Sequence, residues 1–213
     1  MEGALGSYLL LALAWGAWCF FHSFFISRPV DAFLRKRLGV RYRYSRAGYN
    51  LLALATLVPV LVFSESLRSD PVFTWQGVLR LVQGLMLFGA FLLFAAGARR
   101  YDFLQFAGFR QIRAQNDCSA LTEDCSIDTA GILGVVRHPW YSGGILLIWA
   151  RTLDPAALVT NTVLTLYFIV GAALEERKLL AAYGSAYQQY RQRVSMLVPV
   201  KWLLGKLGRI SSD

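Results

Sequence analysis

The sequence predicts an all-α integral membrane protein of about five transmembrane helices. Of its 213 residues, 56% are hydrophobic and only 16% are charged, whereas a typical soluble domain has roughly 25% charged residues. The apolar residues fall in long uncharged blocks, and the basic residues gather in alternate connecting segments. We predict one membrane domain over residues 1–213, with a three-helix part at residues 1–98.

Three uncharged blocks in the first half of the chain are long enough to cross a bilayer. They cover residues 3–26, 47–63 and 81–98, and a hydrocarbon core of about 30 Å requires about 20 helical residues. No basic segment precedes the first block, and no small-residue cleavage site follows it. It is therefore predicted to be a helix rather than a secretory signal peptide.

Two further apolar segments, residues 139–151 and 156–174, predict a C-terminal helical hairpin of helices 4 and 5. The second segment is long enough to span the membrane. The first would form only about 20 Å of helix, which is too short to cross alone. We place the turn of the hairpin at residues 151–155.

The distribution of basic residues predicts the orientation of the chain. Nineteen of the 22 Lys and Arg residues lie in the predicted loops after helices one, three and five. The positive-inside rule then places the N-terminus outside and the C-terminus in the cytoplasm of an inner or plasma membrane, which requires an odd number of crossings. The same charges are expected to contact anionic lipid head groups, at about 1 kcal/mol each. Their positions beside membrane helices argue against nucleic acid as a partner.

The three cysteines do not predict a metal site or a disulfide. Cys19 lies inside helix one, whereas Cys118 and Cys125 lie in an acidic loop without a nearby His. Zinc sites usually combine several Cys or His ligands at short spacings. The loop is predicted to lie in the cytoplasm, which is a reducing compartment, so no structural disulfide is expected.

A first motif, GILGVVRHPWYSGG, begins at residue 131. Pro139 suits the first position of a helix, and the free amides of that turn beside Arg137 favour a carboxylate or phosphate. His138 can donate, accept or carry a charge, and Tyr141 offers an aromatic face to a base or a cation. The alternative is a basic helix start at the membrane surface with an interfacial Tyr.

A second motif, EERKLLAAYGSAYQQYRQRVSMLVP, begins at Glu175. Glu175 and Glu176 are unusual where a helix leaves the membrane on a positive-inside face. Alternatively, Glu175 simply pairs with Lys178, which would contribute only about 0.2–0.5 kcal/mol. Gly184 resembles a helix C-cap, and Ser185 then opens a second short helix. An apolar and aromatic stripe, predicted to pack on the membrane face, comprises Leu180, Tyr183, Tyr187, Tyr190 and Val194.

Together the two motifs, over residues 131–199, resemble the isoprenylcysteine carboxyl methyltransferase and phospholipid methyltransferase superfamily. The shared pattern is RHPxYxG, a helical hairpin, and then EExxLxxxYGxxYxxYxxxVxxLxP. The positions that carry it here are Arg137, His138, Pro139, Tyr141, Gly143, Glu175, Glu176, Leu179, Tyr183, Gly184, Tyr187, Tyr190, Val194 and Pro199. The first half resembles the branch that holds methanethiol S-methyltransferases and denitrification-associated membrane proteins. That likeness rests on His22, Ser23, Arg43, Tyr44, Tyr49, Asn50 and residues 108–111.

The resemblance implies a methyltransferase that uses S-adenosylmethionine in a cytoplasm-facing pocket. It implies that the cofactor-binding residues are Arg137, His138, Pro139, Tyr141, Glu175 and Glu176, and that the catalytic residues are His138, Glu175 and Arg177. The isoprenylcysteine enzymes place an Arg one turn before their paired Glu. Residues 171–174 of this chain are Gly-Ala-Ala-Leu, which disfavours a carboxylate acceptor and favours a small or lipophilic thiol.

Other functions remain open from the sequence. The acceptor could be the carboxylate of an isoprenylcysteine or a lipid head group. A sterol-type reductase that uses NADPH is a second class, although its signature has Asn between the His and the Tyr where this chain has Pro139 and Trp140. A non-catalytic membrane partner is a third.

Overall fold

The computed structural model describes residues 2–99 and 129–210, and within them the chain is helical apart from turns and two isolated β-bridges. The α-helices are α1 (Glu2–Phe25), α2 (Arg28–Leu38), α3 (Ser45–Ser66), α4 (Leu79–Ala98), α5 (Pro139–Trp149), α6 (Pro155–Arg193) and α7 (Val200–Ile210). Two 3₁₀-helices, Gly39–Tyr44 and Gly131–Gly134, precede α3 and α5. The predicted all-α class is confirmed for this part of the chain.

Four helical segments are long and apolar enough to cross a membrane. They are Gly3–Phe25, Pro29–Ser66, Leu79–Ala98 and Pro155–Arg193, and they contain or overlap four of the five predicted spans. α5 has only 11 residues, about 16 Å of helix, so the predicted short arm of the hairpin is confirmed. The count of five crossings stays a prediction.

The segment after α1 was expected to be a loop, and that expectation is wrong. It forms α2 and a 3₁₀-helix that leads into α3. Pro29 lies in the first turn of α2, and Gly39 ends the helix with φ +50°, a conformation that glycine adopts readily. The Tyr42 hydroxyl donates to Asp31 Oδ1 at 2.5 Å, and the Arg35 guanidinium lies 4.8 Å from the Tyr42 ring centroid. These contacts help to order this strongly charged segment.

The described residues divide into two compact units, and the first contains residues 2–74 and 152–165. Its core is formed by Leu11, Trp15 and Ala156. Trp15 Nε1 donates to Ser64 Oγ at 3.0 Å, which satisfies a polar group inside a membrane segment. At the start of α6, the Asp154 carboxylate accepts from the Ala157 backbone N–H at 2.7 Å.

The second unit contains residues 75–99, 129–151 and 166–210. Helices α4 and α5 approach closely because glycines lie at their contact. A Cβ atom at Gly97 would lie 2.3 Å from Trp140 Nε1, and one at Gly143 would lie 3.2 Å from Phe94 Cε2. This close packing fixes the start of α5, where the first motif lies. The prediction of one membrane domain stays a prediction.

Candidate active site

The two sequence motifs are joined by backbone hydrogen bonds. The Arg137 N–H donates to the Ser195 carbonyl at 2.9 Å, and the His138 N–H donates to the Met196 carbonyl at 3.1 Å. α5 then begins at Pro139, at the helical position predicted for it. This pairing holds the residues just before α5 against the segment that follows α6.

Gly184 interrupts α6 and turns the chain. Its φ of +55° and ψ of −127° are not helical, so the predicted break between two helical segments is confirmed. Beyond it, Tyr187, Tyr190 and Val194 are buried together, and the Tyr190 hydroxyl donates to the Leu133 carbonyl at 2.7 Å. The aromatic stripe therefore packs inside the protein. The expectation that it faces the membrane is wrong for these residues, because the turn directs them inward.

A buried carboxylate, that of Glu176, lies at the centre of the site. Glu176 Oε1 accepts from Arg137 Nε at 2.7 Å and lies 2.5 Å from Arg137 Nη2. Its second oxygen lies 3.1 Å from Arg191 Nε. Arg137 Nη1 also donates to the carbonyls of Arg191, at 3.1 Å, and of Val194. Buried charges require such pairing because their desolvation is costly.

His138 lies beside both acidic residues. Its Nδ1 is 3.7 Å from Glu175 Oε2, and its Nε2 is 3.4 Å from Glu176 Oε1. Nε2 has no hydrogen-bond partner among the residues that the structure describes. Burial lowers the pKa of His138, and the two carboxylates oppose this effect only in part. The imidazole is therefore neutral at pH 7 and can accept a proton.

An aromatic column covers one face of this imidazole. The His138 and Tyr141 rings stack with centroids 5.5 Å apart and an interplanar angle of 12°. Tyr141 stacks in turn on Phe168, with centroids 5.8 Å apart. A Cβ atom at Gly171 would lie 3.8 Å from the Tyr141 hydroxyl oxygen. This is an ordinary van der Waals distance, so Gly171 lies directly beside the Tyr141 hydroxyl.

All of the predicted site residues lie in the second unit, and most of them come together at the site, namely Arg137, His138, Pro139, Tyr141, Glu175 and Glu176. Pro139 is fully buried at the helix start, and its side chain has no polar atom. Arg177 is exposed and forms no hydrogen bond or ion pair with a described residue. The alternative pairing of Glu175 with Lys178 does not form, because Glu175 faces His138 instead.

Two residues that sequence reasoning did not assign to the site belong to it. Arg191 follows Glu176 by fifteen positions, so helical spacing alone gave no reason to pair them. Tyr187 is 2% exposed, and its hydroxyl has no hydrogen-bond partner within the described ranges. This hydroxyl is a hydrogen-bond donor that the described residues leave unused.

An open groove of about 530 Å³ borders the charge cluster. Its lining residues are Arg137, Gln188, Arg191, Gln192, Ser195, Met196 and Lys201. Lys201 Nζ donates to the carbonyls of Arg191 and Gln192, at 2.8 and 2.9 Å, near the C-terminal end of α6. Cations are favoured there by the helix dipole.

Membrane-length helices, a charge cluster buried in one unit and an adjoining polar groove define a helical membrane protein with a built polar site. The chain belongs to the NnrU protein family, whose profile matches residues 9–207. The family resemblance predicted from the motifs is confirmed at this level. Residues 108–111, Cys118 and Cys125 lie outside the described residues.

Curated relatives share parts of the sequence. Methanethiol S-methyltransferase 1 of Bradyrhizobium diazoefficiens is 51% identical over 65 residues, which are 30% of this chain and 23% of the relative. Methanethiol S-methyltransferase 2 of the same organism is 33% identical over 150 residues, or 68% of this chain and 57% of the relative. The Mycobacterium tuberculosis methanethiol S-methyltransferase is 42% identical over 65 residues, or 30% of this chain and 27% of the relative. The chain thus spans from about a quarter to somewhat over half the length of these relatives. No solved structure matches it.

Proposed function

We propose that the protein is an S-adenosylmethionine-dependent membrane methyltransferase that acts on a small or lipophilic thiol. One observation carries the proposal: the backbone pairing of the two motifs sets a buried, neutral His138 between Glu175 and Glu176. Buried ionisable groups that perturb one another in this way often mark functional sites. The names of the relatives, methanethiol S-methyltransferases, support a thiol as acceptor.

The side chains present suit the chemistry of such a donor. Glu175 is 39% exposed at its side chain and can accept hydrogen bonds from an ammonium or from ribose hydroxyls. Tyr141 offers a flat aromatic surface, and His138 Nε2 is a buried polar atom without a hydrogen-bond partner in the described residues. Glu176 and Arg137 stabilise one another and hold this arrangement. Arg177 remains a proposed contact from the exposed side of α6.

The chemistry then requires mainly alignment and one proton transfer. When bound, S-adenosylmethionine would supply an electrophilic methyl group to the acceptor sulfur and would leave as S-adenosylhomocysteine. The thiol must lose its proton, and we assign His138 as the base, because it is neutral at pH 7 and lies beside two carboxylates that stabilise its charged form. Exclusion of water from the site would favour the attack of the thiolate.

We further propose the membrane arrangement that the charges favour. The chain crosses five times, with α5 as a short fourth crossing, the N-terminus outside and the C-terminus in the cytoplasm. The short α5 would sink the pocket slightly below the cytoplasmic surface. A lipophilic acceptor would then enter from the bilayer, while the polar donor enters from the cytoplasm.

Ligand binding to the purified protein tests this function. Calorimetry in detergent is expected to give micromolar affinity for S-adenosylhomocysteine and no binding of NADPH. His138→Ala should weaken the first affinity, and Lys178→Gln, an exposed neighbour of the site, should not. If the protein binds NADPH but does not bind S-adenosylhomocysteine, the proposal is overturned in favour of a reductase. Binding of neither ligand would favour a non-catalytic partner.

A further inference from the structure

We propose that the groove beside Arg191 is a subsite for a carboxylate or phosphate group, and that Arg191, rather than Arg137, is the cation that binds it. The groove is lined by residues of α6 beyond Gly184, by the segment after it, by Lys201 of α7 and by Arg137. The inference rests on the proposed function in one respect, since the carboxylate of the methyl donor is one source of such a group. The phosphate of an anionic lipid is the other.

Arg137 has little hydrogen-bonding capacity left for a ligand. A guanidinium carries five N–H donors. Those of Arg137 make two contacts to Glu176 Oε1 and donate to the carbonyls of Arg191 and Val194. Its side chain is only 7% exposed. Arg137 therefore holds Glu176 and the end of α6 in place, which is a positioning role.

Arg191 is in the opposite situation. Its Nε faces Glu176 Oε2 at 3.1 Å, and its side chain is 44% exposed. Apart from this ion pair with Glu176, the Arg191 side chain donates to no residue that the structure describes. Its two terminal nitrogens can bind a carboxylate or phosphate in the two-pronged geometry that arginine favours. The side-chain amides of Gln188 and Gln192, one helical turn apart in the same groove, are further donors.

The charge of the groove also favours an anion. Three cations, Arg137, Arg191 and Lys201, line it, and the Glu176 carboxylate pairs with the two arginines. The excess is positive even though Lys201 also donates to helix carbonyls. The volume of about 530 Å³ exceeds that of a carboxylate or phosphate group alone, so the rest of a larger ligand has room.

The test compares two ligands that differ only in the anionic group. Affinities of the full-length protein for S-adenosylhomocysteine and for its decarboxylated analogue are measured by calorimetry. If the donor carboxylate occupies the groove, Arg191→Gln should lower the affinity for S-adenosylhomocysteine roughly ten- to a hundredfold. The affinity for the decarboxylated analogue should stay unchanged. Arg193→Gln, which removes an exposed cation two positions away, should change neither. Equal weakening of both ligands would mean that Arg191 only positions Glu176, and would overturn the inference.

A second measurement identifies a lipid as the source. The melting temperature is compared in nanodiscs of phosphatidylglycerol and of phosphatidylcholine. Stabilisation by phosphatidylglycerol that Arg191→Gln abolishes and Arg193→Gln retains would assign the groove to a lipid phosphate. This result would stand even if wild-type protein bound no S-adenosylhomocysteine, in which case the proposed function fails and the subsite does not. If Arg191→Gln changes neither the affinity for S-adenosylhomocysteine nor the stabilisation by phosphatidylglycerol, the subsite is overturned. If Arg191→Gln is not monodisperse, Arg191→Lys, which keeps the charge without the two-pronged donor, is judged by the same outcomes.

Discussion

Arg191 Nε lies 3.1 Å from Glu176 Oε2, although fifteen positions separate the two residues. In an uninterrupted helix they would be about 22 Å apart along the axis. The backbone of Gly184, with φ +55°, turns the chain between them and makes the contact possible. Since Glu176 also pairs with Arg137, a single carboxylate joins the start of α5 to both segments of α6.

Replacement of Glu176 by Gln should destabilise the protein. Arg137, whose side chain is 7% exposed, would lose its counter-charge, and breaking a buried pair in this way costs about 3–5 kcal/mol. A clear fall in melting temperature in detergent is expected. Lys178→Gln alters an exposed residue on the same turn and should cost no more than about 0.5 kcal/mol. Similar melting temperatures for the two variants would contradict a structural role for Glu176.

Replacement of Glu175 by Gln should affect binding more than stability. Its side chain is partly exposed and faces His138 at 3.7 Å. Loss of a charge-assisted hydrogen bond to an ammonium or ribose would weaken the binding of S-adenosylhomocysteine by about 1.5–3 kcal/mol. This corresponds to a roughly ten- to hundredfold lower affinity. Calorimetry measures this, with Lys178→Gln as the matched control. An affinity equal to that of the control would remove Glu175 from the donor site.

The stability of the protein should depend on pH through His138. Burial lowers the pKa of His138 below its ordinary value of 6.5, so the unfolded chain takes up the proton more readily than the folded one. Stability is therefore unaffected above about pH 7 and falls as the pH drops below 6.5 towards the folded-state pKa. The melting temperature of the wild type should drop more between pH 7.5 and pH 5 than that of His138→Gln. A drop of equal size in both would show that other groups dominate.

The turn in α6 should tolerate no side chain at Gly184. A residue with a Cβ is strained at φ +55°, and such strain costs about 1–3 kcal/mol. Gly184→Ala should lower the melting temperature. It should also lower the affinity for S-adenosylhomocysteine, because it displaces Arg191. Gly205→Ala is the control, because Gly205 lies within α7 with open space around it, where alanine is neutral or stabilises by up to about 1 kcal/mol. Wild-type affinity in Gly184→Ala would argue against the turn as the device that completes the site.

The proposed orientation predicts how the cysteines react in intact cells. Cys118 and Cys125 belong to the connection that the charge distribution places in the cytoplasm. A membrane-impermeant thiol reagent should leave both unmodified until the cells are permeabilised. Labelling of either residue in intact cells would require a different number of crossings.

Much of the fold could be predicted from the sequence. A bilayer requires apolar segments of a minimum length, so the uncharged blocks located the long helices. Pro139 and the short apolar run after it gave the start and the limited length of α5. Helix α2 was missed because its six apolar or small residues are mixed with five charged ones, and its order depends on contacts such as that between Tyr42 and Asp31.

The sequence by itself determined that this chain is a helical membrane protein with two motifs that resemble methyltransferases, and it selected His138, Glu175 and Glu176. Only the tertiary structure decided how these residues are partnered. It showed that Arg137 is held by Glu176 and by backbone carbonyls, and that Arg191 is the more exposed arginine, paired with Glu176 alone among the described residues. The physical reason is that helical spacing orders side chains over one or two turns. Contacts between distant positions depend on where the chain turns and which backbone groups pair, and here those are Gly184 and the pairing of Arg137 with Ser195.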